Sequence, residues 1–184
     1  MPMSQINTFK SYAKVNLGLK VLDLLPDNYH SIFTIIQEID FYDIINIQKN
    51  TENKINLICN GPVKVPDDKN NLCYKAAKLI YNHYNIRSGI NISLNKIIPI
   101  GAGLGGGSSN AATILCGLNE IFKLKISHQE ISELALQLGC DVPFFIKGGT
   151  QISEGKGEIL TPLNINISQY YFLLVFPSFN VSTK

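Results

Sequence analysis

Arginine is almost absent: Arg87 is the only one among 16 basic residues. An arginine-fork site for phosphate or nucleic acid is therefore all but excluded. Charge of any kind is sparse, at 16% of residues, and the net charge is only +2. No basic block exists, so there is no electrostatic footprint for DNA or RNA. No apolar run approaches the length that crosses a membrane. The first ten residues hold no apolar signal core, so a cytoplasmic protein with no membrane partner is expected. No CxxC occurs. Cys59, Cys73, Cys116 and Cys140 lie far apart and read as free, buried thiols in a reducing compartment. His30, His83 and His128 are scattered and form no ligand spacing. Any phosphate site must rest on backbone amides, a helix N-terminus or a lysine.

Apolar residues, by contrast, are plentiful. With 45% of 184 residues hydrophobic, one domain or slightly more can close a core without disulfides or metal. Low net charge and this hydrophobicity exclude a long disordered chain. Tyr12–Val21 alternates: Ala13, Val15, Leu17, Leu19 and Val21 against Lys14, Asn16, Gly18 and Lys20. Period two predicts a strand with the first set buried. Pro26-Asp27-Asn28 reads as a turn. Ile32–Ile39 reads as a strand, and Ile44–Gln48 and Lys54–Cys59 as a further pair. Asn71 can cap a helix over Leu72–Tyr84, and Ile90–Leu94 is a short strand. A helix over Asn110–Phe122 follows the glycine segment, capped by Ser108 or Ser109. Ser127-His-Gln-Glu130 is a capping box for a helix over Gln129–Leu138, with Gly139 at its C′ position. Pro143 is expected to stop helix from resuming. Gln151–Ser153 and the fully apolar Tyr170–Phe176 read as strands. This order predicts an α+β fold.

The segment Gly101-Ala-Gly-Leu-Gly-Gly-Gly107 places five glycines in seven residues, and two serines follow. Glycine admits positive φ and close backbone approach, so successive amides can converge on one point. They then run into a helix N-terminus, which attracts anions. This is chemistry for a polyphosphate. The formal match Gly101-x-Gly103-x-x-Gly106 to the dinucleotide fingerprint is weak, because a helix, not a strand with a terminal acid, comes next. A Walker loop is excluded, since Gly107 stands where its lysine belongs. The glycine loop of protein kinases sits in a hairpin. A phosphate loop of another kind remains, against the plainer reading of a linker or packing turn. Lys14 and Asn16 share a polar strand face, which by pattern alone can simply be solvated. Asp141, beside Val142-Pro143-Phe144, is a cap, a structural hydrogen bonder or a catalytic group. Tyr29-His30 follows the turn.

Pro99-Ile-Gly-Ala-Gly-Leu-Gly-Gly-Gly-Ser-Ser-Asn-Ala-Ala112 resembles the phosphate loop of the GHMP kinases, which phosphorylate small alcohols. Ala13-Lys14-Val15-Asn16-Leu17, Tyr29-His30 and Gly139-Cys140-Asp141-Val142-Pro143-Phe144 narrow the likeness to members that act on a cytidine diphosphate-linked methylerythritol. The resemblance implies the ribosomal protein S5 domain 2-like fold, a mixed or antiparallel sheet with helices on one side. It implies Asp141 as the catalytic aspartate facing the substrate hydroxyl, Lys14 as its partner and Asn16 in the alcohol site. Tyr29 and His30 would hold the cytosine, and Thr183 lies near a further substrate position. The ATP site would draw on Pro99, Gly101, Ala102, Gly103, Leu104, Gly105, Gly106, Gly107, Ser108 and Ser109, with Asn71 and Lys96 near the adenine. Mg²⁺ is implied with ATP, and Ser108 is a candidate contact. Asn28 replaces the glycine that often precedes the Tyr-His pair; asparagine tolerates left-handed backbone. Family members carry a second, C-terminal domain. The chain is thus expected to be residues 1–184 of an N-terminal domain, with residues 1–10 an extension and weak turnover alone. Another small-alcohol kinase and a nucleotide-binding module without catalysis are the alternative readings.

Overall fold

In the computed structural model of the chain, residues 5–167 and 169–176 are described. The elements run β1 (Ile6–Leu24), β2 (His30–Asn50), β3 (Ile55–Asn60), α1 (Leu72–His83) and β4 (Gly89–Asn95). Then come α2 (Gly106–Phe122), α3 (His128–Leu136), α4 (Phe144–Lys147), β5 (Thr150–Gly155) and β6 (Ile159–Pro162). The six strands form one mixed sheet in the order β3-β4-β2-β5-β6, with β1 along the other edge of β2. Only β3 and β4 pair in parallel, so α1 is the crossover between them. The α+β expectation holds.

The sheet is built on β2, which is long because β-branched residues fill it. Its inner half pairs with β4 over Ile44–Asn50, and its outer half with β5 over Ile32–Gln37. The stretches read as two strands, Ile32–Ile39 and Ile44–Gln48, are therefore one. Lys54–Cys59 does not pair with Ile44–Gln48; β4 lies between them. The main core joins Ile45, Ile47, Ile92 and Leu94 of the sheet to Ala76, Ala77 and Ile80 of α1 and Ala111, Ile114, Leu115 and Leu118 of α2. A smaller cluster of Ala13, Ile39, Ile98 and Leu104 lies beneath the glycine segment.

Several expectations are corrected. Residues 6–10 are already strand and not an extension. Alternation in β1 fails beyond Asn16, because Asn16 pairs with Ile36 and Gly18 with Ile35, leaving Leu17 as a bulge. The bulge shifts the phase. Leu19 and Val21 now pair with Thr34 and Ile32, on the face of Asn16, and are 58% and 59% exposed. The α2 helix begins at Gly106, four residues before the expected Asn110, and both serines lie inside it; Gly105 is its N-cap, in left-handed conformation. Ser127 does cap α3 through the Glu130 amide. The box is not reciprocal, since the Glu130 carboxylate accepts from the Tyr84 hydroxyl at 2.5 Å. The α3 cap is Gln137, so Gly139 falls one place beyond C′. The α3 helix does not resume before Pro143, which itself opens the separate short α4, its fixed φ suiting a helix start. Tyr170–Phe176 is irregular: it finds no ladder partner among the described residues, and Tyr171 is 98% exposed. Among the thiols, only Cys73 is fully buried, where burial pushes its pKa up to about 12, and Cys140 is exposed.

Candidate active site

The glycine segment follows β4 and enters α2. Gly101, Gly103 and Gly105 have φ of 70°, 73° and 67°, so every second residue is left-handed. That alternation curls the backbone and turns its amides inward. The first α2 amides, Gly106, Gly107 and Ser108, have no preceding helical carbonyl to bond. The loop borders a cavity of about 430 Å³ lined by Pro99, Gly101–Gly107, Ser108, Asn71, Leu72, Lys96, Val65 and Pro66. This brings together eleven of the twelve residues assigned to ATP. Ser109 is the exception. Its amide bonds the Gly105 carbonyl and its hydroxyl meets that of Ser11 at 2.8 Å, so it supports the loop from beneath. Asn71 reaches the cavity wall, but its side chain is engaged in capping: it accepts from Cys73 N at 2.8 Å and donates to Pro66 O at 2.6 Å.

Beside the loop stands Lys14. Its backbone amide bonds Leu104 O at 3.0 Å, and a Cβ on Gly105 would lie 3.1 Å from Lys14 Cγ and 2.7 Å from the Phe145 ring. Strand, loop and α4 thus meet at one point that only glycine fits. Lys14 Nζ donates to Asn16 Oδ1 at 2.6 Å, Asn16 Nδ2 donates to Thr34 Oγ1 at 2.8 Å, and Thr34 donates to Gly18 O at 2.7 Å. Burial holds the Lys14 pKa below its ordinary value, and the charge of Asp141 opposes that shift. Asp141 is exposed in the turn before α4, anchored by buried Val142 and Phe144. No ion pair within 4 Å ties it to Lys14 among the described residues. Its Oδ1 would lie 3.8 Å from a Cβ on Gly157.

Farther out, Asn28 has φ 66°, the left-handed conformation the turn requires. Tyr29 and His30 are exposed there. Asp27 pairs with Lys156, whose ammonium lies 5.3 Å over the Tyr29 ring. Thr183 lies outside the described residues. Sequence reasoning missed Thr34, Phe145, Lys156 and the buried Asp43. Asp43 alone had a signal, a carboxylate inside the apolar run Phe41-Tyr-Asp-Ile-Ile45. Among the described residues no three His, Cys, Asp or Glu side chains cluster to hold a metal. No described helix is long and apolar enough to cross a membrane.

Residues 71–149 match the family described as GHMP kinases N terminal domain. A crystal structure of 4-(cytidine 5'-diphospho)-2C-methyl-D-erythritol kinase superposes with a TM-score of 0.74 at 34% identity, over 87% of this chain and 56% of that one. By this match and this superposition the chain is similar to the GHMP kinase N-terminal domain. The chain is 43% identical over 175 residues to 4-diphosphocytidyl-2-C-methyl-D-erythritol kinase of Clostridium perfringens (strain SM101 / Type A), covering 95% of this chain and 60% of the relative. Identity to the same-named kinase of Clostridium botulinum (strain Kyoto / Type A2) is 46%, with 95% and 61% coverage. The chain therefore spans about three fifths of these curated relatives. A mevalonate kinase structure shares the fold at 18% identity and a TM-score of 0.66.

Proposed function

We propose that this chain belongs to an ATP-dependent kinase for the 2-position hydroxyl of 4-(cytidine 5'-diphospho)-2-C-methyl-D-erythritol, on the non-mevalonate route to isoprenoid precursors. The observation that carries the reading is the junction at Gly105, where the glycine loop abuts Lys14 and Phe145. It sets a phosphate-binding backbone against the lysine that Asp141 faces through space. The 430 Å³ cavity would take the nucleoside, and the loop amides with the α2 N-terminus would hold its phosphates. Phosphoryl transfer asks mainly for alignment and charge stabilisation. Asp141 would orient the acceptor hydroxyl and take its proton, and Lys14 would stabilise charge on the transferring group. Ser108, on the cavity wall, is the protein oxygen that would help hold Mg²⁺ beside the phosphates, where the ion would neutralise phosphate charge. Tyr29 and His30, on the turn tied down by Asp27 and Lys156, would receive the cytosine.

The test is ADP release by the full-length gene product on a panel holding the cytidylyl alcohol, mevalonate, homoserine and galactose. The cytidylyl alcohol should be the substrate, and Asp141→Asn should cut kcat by about 10³-fold or more with ATP affinity unchanged. Turnover of another alcohol in preference, or full activity in Asp141→Asn, would refute the reading.

A further inference from the structure

A single carboxylate holds both ends of the glycine loop. Asp43 is fully buried on β2, opposite Ser11 of β1. Its Oδ1 accepts from the amides of Ile97 and Ile98 at 2.6 and 2.8 Å, on the segment that leads into Pro99. Its Oδ2 accepts from Lys96 Nζ at 2.5 Å and from Asn110 Nδ2 at 2.8 Å. Asn110 directly follows the loop serines. The same Asn110 amide also reaches Ser11 Oγ at 2.8 Å, and Ser11 Oγ meets Ser109 Oγ at 2.8 Å. Residues 96–98 and Asn110 thus converge on one oxygen pair, Ser109 is joined to it through Ser11, and Gly101–Ser108 lies between the two segments. Lys96 Nζ lies directly under the loop: a Cβ on Gly106 would approach it to 2.8 Å.

Stability alone is a weak reason for such an arrangement. Burying an ammonium with a carboxylate costs desolvation that their attraction roughly repays, and apolar replacements of such pairs are often neutral or stabilising. What an apolar pair cannot do is fix four donors from two chain segments in one geometry. Given the nucleotide reading of the loop, on which this rests, we propose that Asp43 is a positioning residue for ATP. With Lys96, Asn110, Ser11 and Ser109 it sets the loop amides in their phosphate-binding arrangement before the nucleotide arrives. Preorganised dipoles need no reordering on binding, so the effect belongs to nucleotide affinity and leaves the alcohol site untouched.

The test uses ATP itself, by calorimetry on the chain and steady-state kinetics on the full-length gene product. Asp43→Asn keeps size and one acceptor oxygen but sets a donor against Lys96 and Asn110. It should weaken ATP by about tenfold or more while KM for the alcohol moves less than twofold. Ser11→Ala removes only the outer link and should weaken ATP by about threefold. It should also speed hydrogen exchange at Gly106–Ser109 while leaving the α1 amides as they were. A purely structural role would lower the melting temperature and speed exchange throughout, with ATP affinity of the folded protein unchanged. If Asp43→Asn does not fold, Ser11→Ala decides by the same two readouts. ATP affinity within experimental error of the parent in Ser11→Ala, with unaltered loop exchange, overturns the proposal. A parent chain that binds no ATP overturns the nucleotide reading instead.

Discussion

Lys14 shows what a single position contributes and what it costs. It is 8% exposed, and its ammonium donates to Asn16 Oδ1 at 2.6 Å. Burial lowers its pKa below 10.5, with Asp141 opposing. On the alkaline side, between the folded value and 10.5, the unfolded chain holds more protons than the folded one, so stability rises with pH through that window. At neutral pH the charged lysine carries its full burial penalty. Replacing it with Met removes that penalty and keeps the packing of the stem against Gly105. Lys14→Met should therefore raise the melting temperature at pH 7 by about 2–4 °C, flatten the alkaline rise and abolish turnover. A lower melting temperature at unchanged packing would mean that the ammonium is a net stabiliser. Pattern alone allowed Lys14 to be a solvated surface residue. Its burial follows from the loop folding over β1, a long-range event that no local spacing records. Asp43 showed only as a carboxylate inside an apolar run, and its role was illegible for the same reason: its four partners come from residues 53 to 67 positions away.

Elements were legible where local chemistry decides them. Asn71 caps α1 and Ser127 caps α3, because a short polar side chain before an apolar stripe satisfies helix amides whatever the rest of the chain does. The start of α2 was misplaced because glycine, the poorest helix former after proline, occupies its first two positions. Tertiary fit overrides propensity there, and the two glycines fit differently. A Cβ on Gly106 would press on Ile98 Cγ2 and Lys96 Nζ, both at 2.8 Å; one on Gly107 would touch only Leu72 Cδ1, at 3.4 Å beside the cavity. Gly106→Val thus acts on the floor of the loop rather than on the space phosphates need. It should lower the melting temperature by several degrees as well as weaken ATP. Gly107→Val should leave thermal stability within about 2 °C and weaken ATP by about tenfold, since its side chain crowds the cavity wall. Thermal shift and calorimetry on the pair separate the two effects, and equal melting losses would contradict the difference in packing.

At the scale of the whole molecule, the cavity proposed for the nucleotide is drawn from one continuous stretch of the chain. Every cavity residue lies between Val65 and Asn110, and their supports come from β1, β2 and α4. The sheet closes at β6, which ends at Pro162. Beyond it, Tyr171, Leu173 and Val175 stand in solvent, an apolar stretch that pattern reads as a strand because periodicity reports burial and not the presence of a partner. Only Leu174 of that stretch packs inward, against the small cluster of Ala13, Ile39, Ile98 and Leu104. Exposed, unpaired backbone with large apolar side chains is what chymotrypsin takes first. Limited digestion of the chain should cut at Tyr170, Tyr171 or Phe172 before any other site. The trimmed product should keep the sheet and bind ATP within about threefold of the intact chain, the loss reflecting Leu174 alone. First cleavage within β1 or α2, or loss of ATP binding on trimming, would show that this segment supports the loop far more than one side chain against a four-residue cluster can account for.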